Sequence, residues 1–265
     1  MLSFSKHLNR ASNQIYYCGR DASTALSMTF FGSLLIAHCS LLIAHCSLLN
    51  MRPFSPSDSA ARPRALLLVL LLAWAVFGWL AMAVVHAGGL SWDAPLLSFW
   101  HRHANPMLDR LAVFLTIVGN TWPMVCMALL VLLVLLKRRR WRAAWLFGLA
   151  VGGSMLLTQL IKPLVGRPRP ALWASIRPEH TLSFPSGHAM DTAAIATALV
   201  LLCWQCRARW WVWVLAPLFS LAVGWARVYL GVHNPSDVLA GWSAAVGWVA
   251  LVQLLGRFEK ASDAT

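Results

Sequence analysis

Charge is scarce in this sequence. Only 12% of its 265 residues are charged, while 59% are hydrophobic. With a mean hydropathy of +0.63, the chain is too apolar for a water-soluble domain. It has the composition of a protein with several membrane spans. Acidic residues are scarcest, 9 against 22 Lys+Arg. Asp93, Asp109, Glu179, Asp191 and Asp237 lie scattered along the chain. That argues against a two-metal phosphatase site, which needs several carboxylates or histidines as ligands. The six cysteines fall mostly inside apolar runs and give no disulfide framework. Cys203 and Cys206 have redox-motif spacing, but at the end of a span they read as packing. The surplus of cations, a formal +13, would suit nucleic acid if it were spread over a polar surface. Here the cations cluster at the ends of apolar runs, so they read as topology signals plus an anion site, with no nucleic-acid partner.

Residues 1–50 look foreign to the rest. Ser33 to Cys39 repeats without change as Ser40 to Cys46, and Ser47 begins a third copy. His38 and His45, or Cys39 and Cys46, would share a helix face. A metal site drawn from them would lack the supporting partners such sites need. The plainer reading is a duplicated stretch, and Met51, followed by the basic Arg52, Arg62 and Arg64, is the expected start. The expected organisation is therefore an N-terminal extension over 1–50 and one membrane domain over 51–260.

Six spans are expected after Met51: 65–85, 124–136, 143–161, 189–206, 212–225 and 238–255. Residues 88–105 read as a polar loop carrying Asp93 and a His101-Arg102-His103 cluster. Residues 107–118, with Asp109 and Arg110 on one face, read as a short interfacial or re-entrant helix, broken by Gly119 to Pro123. Lys137 to Arg140 and Arg142 form the strongest cytoplasmic marker. After residue 161 come three cations and three prolines, Lys162, Pro163, Arg167, Pro168, Arg169 and Pro170. They predict an extended loop in place of helix. Alternation of sides then puts both termini inside and this loop outside.

By the same parity the outer side collects Lys162, Arg167, Arg169, Ser186, Gly187, His188, Arg227, His233 and Asp237. Cations held on that side of a membrane need a ligand to explain them. Arginine forks and a lysine point charge suit a tetrahedral phosphate. Phe184-Pro185-Ser186-Gly187-His188 has helix-start residues where a polar loop meets an apolar run. The serine can cap a free amide, the glycine lets a ligand approach the backbone, and a helix N-terminus binds anions. Asn234 and Pro235 likewise open the last helix. His233 and Asp237 stand four residues apart, so the carboxylate can hold one ring nitrogen and leave the other as nucleophile or base. Asp191, three residues after His188, reads as an acidic residue favouring the helix dipole.

At these residues the sequence resembles the type-2 phosphatidic acid phosphatase family. Its motifs read here as Lys162 to Arg169-Pro170, then Pro185-Ser186-Gly187-His188, then Ala226-Arg227 with His233 and Asp237. All three match in order and spacing, over about residues 66–255. Ala226 replaces the family's serine, which removes one phosphate hydrogen bond of roughly 0.5–1.5 kcal/mol. The resemblance implies an all-α integral membrane six-helix bundle with its active site at the outer membrane face. It implies His233 as the nucleophile that becomes phosphohistidine, Asp237 as its orienting partner and His188 as general acid. Lys162, Arg169, Ser186, Gly187 and Arg227 would bind phosphate, with Arg167 outside the motif positions in a supporting place. No cofactor and no metal are called for. The implied activity is hydrolysis of lipid phosphates or diphosphates. Undecaprenyl diphosphate, phosphatidylglycerophosphate, phosphatidate and lipid A phosphates all remain open as substrates. A lipid-phosphate carrier without catalysis is the alternative; it would need the cations but not two histidines and a carboxylate.

Overall fold

The computed structural model describes residues 61–204 and 210–262, with side chains over 63–204 and 210–256. The expectations for residues 1–50, for Met51 and Arg52, and for Cys206 lie outside the described residues. Eight helices follow one another: α1 (Ala61–Ala87), α2 (Asp93–Arg102), α3 (Pro106–Val118), α4 (Thr121–Lys137), α5 (Trp141–Val165), α6 (Gly187–Cys203), α7 (Trp210–Tyr229) and α8 (Pro235–Ser262). All belong to the compact unit Cys46–Thr265. No strand occurs among the described residues.

Helices α1, α5, α7 and α8 are each long and apolar enough to cross a membrane. The pair α3–α4, bent by 48°, makes a fifth such element. The remaining apolar helix, α6, has 17 residues, a rise of roughly 25 Å. That is short of the roughly 30 Å of a bilayer core.

Helix α6 is the centre of the bundle. It packs against α7, α8, α5 and α4, and every residue from His188 to Ala196 is buried. Its alanines (Ala189, Ala193, Ala194, Ala196 and Ala198) keep its surface shallow, so neighbours approach from all sides. Helix α1 is the opposite case. It packs on α8 and leaves Leu67, Leu68, Leu71, Leu72, Trp79 and Met82 exposed. An apolar face of that size on a helix of this length suits lipid as its solvent.

Helix α8 comes close to the backbone at the start of α6. A Cβ added at Gly241 would stand 2.8 Å from the Ser186 carbonyl oxygen and 3.3 Å from the Ala189 Cβ. Backbone cannot yield as a side chain tip can. Gly241→Ala is therefore expected to cost roughly 1–3 kcal/mol. Because the displaced residue is Ser186, activity should fall at temperatures where the variant is still folded. A thermal melt in detergent beside a rate assay checks this; unchanged activity would show that the contact relaxes without cost.

Three expectations for the connections are corrected. Residues 88–105 are not a loop, because α2 occupies Asp93–Arg102. Its N-cap residue is Trp92, with no side-chain cap bond, so no capping signal marks it. Helix α5 also runs past Lys162 and through Pro163 to Val165. A proline that close to a C-terminus forfeits a single ladder bond. Gly166 then closes the turn in the left-handed region at φ 64°, its N–H donating to the Lys162 carbonyl at 2.9 Å. Lys162 thus projects from the last turn of a helix, where a cation complements the dipole. The break around Gly119 is also shorter than expected. Asn120 caps α4 through Trp122 N, and Pro123 sits in the first turn.

Candidate active site

Four helix ends meet at one end of the bundle: the C-termini of α5 and α7 and the N-termini of α6 and α8. Backbone bonds fasten the three sequence motifs together there. Ser186 N donates to Asp237 O at 3.0 Å, and Ser183 N donates to Arg167 O at 2.9 Å. Val232 N donates to Arg227 O at 3.2 Å, folding the α7–α8 turn back on its own arginine. That turn holds Gly231 at φ 69°, with Trp173 within 2.7 Å of where a Cβ would stand. Only glycine fits both conditions.

His233 lies in this turn and is 1% exposed. Its Nε2 is 3.0 Å from Arg169 Nη1. A guanidinium can only donate, so Nε2 accepts and the ring proton sits on Nδ1. Nδ1 is 3.4 Å from Ser183 Oγ and 3.7 Å from Asp237 Oδ2. The second distance is too long for a hydrogen bond. Ser183 bridges it by donating to Asp237 Oδ2 at 2.5 Å. The expected histidine–carboxylate pair is therefore present as a close approach bridged by a serine hydroxyl. Burial pushes the His233 imidazole down to about 4; Asp237 opposes this, and Arg227 and Arg169 add to it. At neutral pH the ring is uncharged and Nε2 carries a lone pair.

Asp237 is fully buried and held on both oxygens. Besides Ser183, its Oδ2 accepts from Asn234 N at 2.9 Å, so the carboxylate also caps the helix that Asn234 and Pro235 open. Its Oδ1 accepts from Arg167 Nη1 at 2.5 Å.

The remaining cations surround Glu179, a residue with no expected role. Arg169 pairs with Glu179 Oε2 at 2.9 Å, and Arg227 pairs with Oε1. Arg169 also donates to Thr181 O at 2.6 Å and to Val232 O at 2.8 Å. Lys162 Nζ reaches Thr181 Oγ1 at 3.4 Å. Burial raises the Glu179 carboxyl, but Arg227, His188 and Arg169 outweigh it and hold it down at about 2. The carboxylate is ionised and lies where two arginines converge.

Several buried polar atoms here have no partner: Arg227 Nε and Nη1, His188 Nε2 and Ser186 Oγ. Buried groups of this kind are rare in folded proteins, and these belong to the residues expected to hold an anion. Ser186 stands at the N-cap of α6 but makes no side-chain cap bond, which corrects the expected capping role and leaves its hydroxyl free. A Cβ at Gly187 would make only ordinary contact, 3.6 Å from Thr158 Cγ2. Protein packing therefore does not explain that glycine. Asp191 neither meets the His188 ring nor simply serves the helix dipole. It accepts from Thr121 Oγ1 at 2.9 Å and ties α6 to α4.

Lys162, Arg169, Arg227, His188, His233 and Asp237 thus converge as their spacing suggests. Glu179, Ser183 and Asp93 join them without a signal of their own. Ser183 alone stood close to a motif, three residues before Ser186. Among the described residues no group of three or more His, Cys, Asp or Glu is arranged to hold a metal ion.

Two histidines, a buried carboxylate and converging cations at one end of a helical membrane bundle make a site suited to phosphoryl chemistry. The sequence profile of the PAP2 superfamily matches residues 143–259. The chain is 30% identical over 156 residues to the undecaprenyl-diphosphatase BcrC of Bacillus subtilis, covering 54% of this chain and 72% of that one. It is 28% identical over 160 residues to an undecaprenyl-diphosphatase of Sulfolobus acidocaldarius, covering 56% and 69%. The crystal structure of a transmembrane PAP2-type phosphatidylglycerolphosphate phosphatase from Bacillus subtilis superposes with a TM-score of 0.61 at 27% identity, over 75% of this chain and 96% of that one. The chain belongs to the PAP2 superfamily and is a multi-pass membrane protein whose relatives are lipid phosphatases.

Proposed function

We propose that this chain is a metal-independent phosphatase that hydrolyses lipid phosphates or diphosphates through a phosphohistidine on His233. The observation that carries the reading is the neutral, buried His233 with its Nε2 lone pair turned toward Arg169. Around it stand the unpartnered donors of Arg227, Ser186 and His188. A phosphoryl group takes its oxygens from Arg169, Arg227, Lys162, Ser186 Oγ and the amide of Gly187 at the start of α6. Nε2 attacks phosphorus, the phosphorus–oxygen bond to the leaving group breaks, and His188, which takes up a proton as the anionic substrate docks beside it, gives that oxygen its proton. Neutral His188 then takes a proton from water, whose oxygen attacks phosphorus and releases His233. Arg169 leaves Nε2 for a phosphoryl oxygen as substrate binds, and Glu179 yields the two arginines it bridges.

The membrane domain, residues 51–260, carries the reaction across six spans, with α6 as the short one. The cationic run from Lys137 to Arg142 and the site lie at opposite ends of α5. With that run cytoplasmic, the site opens on the outer side, level with lipid headgroups. An amphiphile then reaches His233 sideways with its tail left in the bilayer. Extracting a tail would cost roughly 0.8 kcal/mol per CH₂. Undecaprenyl diphosphate leads as substrate, in keeping with the names of the relatives. Glycerolipid phosphates follow closely.

The test is phosphate release in mixed micelles from undecaprenyl diphosphate, phosphatidylglycerophosphate, phosphatidate and lipid A phosphate, all in excess chelator. p-Nitrophenyl phosphate serves as the soluble comparison. Turnover is expected with chelator present, with kcat/KM for the best lipid well above that for the soluble ester. Binding without release would make the chain a carrier. Loss of activity in chelator would make the site metal-dependent. Equal kcat/KM values would refute sideways entry.

A further inference from the structure

Arg167 is buried, 8% exposed, yet it makes no contact with the anion-binding groups. Its guanidinium bonds go to Asp237, Ser236, Asp93 and Gly88. Nη1 donates to Asp237 Oδ1 at 2.5 Å and to Ser236 Oγ at 2.8 Å. Nη2 donates to Asp93 Oδ2 at 3.0 Å and to Gly88 O at 2.8 Å. Asp93, 4% exposed, is equally committed. Its Oδ2 also accepts from Ser236 Oγ at 2.6 Å and Leu90 N at 3.1 Å, and its Oδ1 accepts from Ser236 N at 3.0 Å. The backbone is shaped to admit this guanidinium. Gly89 has φ 144°, and a Cβ there would lie 2.1 Å from Arg167 Nη2.

We infer that Arg167 and Asp93 are a positioning pair that locks the Asp237 carboxylate and, through Ser183, sets the orientation and basicity of His233. Two carboxylates share one guanidinium. The fork holds Asp237 Oδ1 so that Oδ2 stays on the Ser183 side, and its charge offsets part of what Asp237 presents to the imidazole. Asp93 sits at the start of α2, so docking of that helix becomes a condition for a competent nucleophile. Neither residue touches the phosphoryl group. The inference rests on the proposed role of His233, but not on the identity of the lipid.

The charged and titratable groups that bear on His233 are Arg169 and Asp237 beside the ring, and Arg227 and His188 close by. Against that fixed background the two members of the pair act with opposite sign. Arg167→Gln unmasks Asp237, stabilises the imidazolium and raises the pH at which His233 protonates by about one unit. Asp93→Asn leaves Arg167 facing a single carboxylate, which masks Asp237 more and moves the same titration down.

The experiment is a nitrogen-15 NMR titration of the His233 ring in detergent, assigned by its loss in His233→Ala, run beside the pH profile of kcat. Expected are shifts of opposite sign in Arg167→Gln and Asp93→Asn. A 10–100-fold loss of kcat with KM changed less than about threefold should accompany them, without rescue by Arg167→Lys, which lacks the fork. A titration unmoved in both folded variants overturns the inference, as does a rise in KM at constant kcat, which would make Arg167 a phosphate ligand. If Arg167→Gln does not fold, the downward shift in the near-isosteric Asp93→Asn decides alone. The titration needs no turnover, so failure of the proposed activity would appear separately, as an absence of phosphate release from the wild type.

Discussion

His233→Ala is expected to abolish phosphate release from the preferred lipid, a loss on the order of 10⁴–10⁶-fold. The nucleophile must be uncharged, within reach of phosphorus and supported from behind. Only His233 meets all three conditions among the described residues of the site. His188 has no carboxylate behind it within hydrogen-bond distance, and its Nε2 has no partner. Ser186 and Ser183 have no base to take their protons: Ser186 Oγ is unpartnered, and Ser183 Oγ is committed to Asp237. The expected sign with pH follows from the same burial. His233 stays neutral down to about 4, so the acid limb of kcat set by this group falls below the ordinary histidine range, and activity drops as pH falls through it. Stopped-flow quench with a phosphorus-32-labelled substrate is the decisive readout. Acid-labile phosphoprotein forms in the wild type and is absent in His233→Ala. Wild-type rates in that variant would end the phosphohistidine reading.

His188→Ala is expected to slow turnover by roughly 10²–10⁴-fold, the usual worth of a lost general acid, and to change which species accumulates. His188 opens α6 beside the anion-binding groups. In the proposed reaction it protonates the leaving-group oxygen as that oxygen departs from phosphorus on the side opposite His233. With a poor leaving group the first step stalls and no phosphoenzyme appears. With a good one, such as p-nitrophenolate, the first step survives. The second then stalls because no base activates water, and phosphoenzyme builds up. The contrast between the two substrates separates a catalytic loss from an unfolded variant, which would show neither. Equal slowing on both substrates, with no accumulation on the better one, would remove His188 from the acid–base role.

Much of the site is legible in the sequence because its key parts come in rigid local spacings. His233 and Asp237 are four residues apart across a helix start, so almost any folded version of that stretch brings them near each other. Arg169, His188 and Arg227 come from separate segments. Each still lies near a helix end, and the ends of antiparallel spans gather on one side. Glu179 is different. It is an isolated acid in an irregular stretch, and its pairing with Arg169 and Arg227 depends on how that stretch folds back. Asp93 is the extreme case, 144 residues from Asp237 by sequence number and linked to it through Arg167 and Ser236. The helix over Asp93–Arg102 has no side-chain cap at Trp92, and the burial of Asp93 depends on Arg167 and Ser236, both distant in the chain.

The sequence by itself determined the class, the apolar helices and the chemical groups, because hydropathy, charge at helix ends and motif spacing are local properties set by neighbouring residues. Tertiary structure decided the partners. It placed a serine between His233 and Asp237, turned Arg167 away from the anion-binding groups toward two carboxylates, and seated Glu179 between the two arginines. The reason is electrostatic. In a buried site each charge must find a counter-charge or hydrogen bond within a few ångströms, and which one it finds is settled by the packing of helices that are distant in the chain.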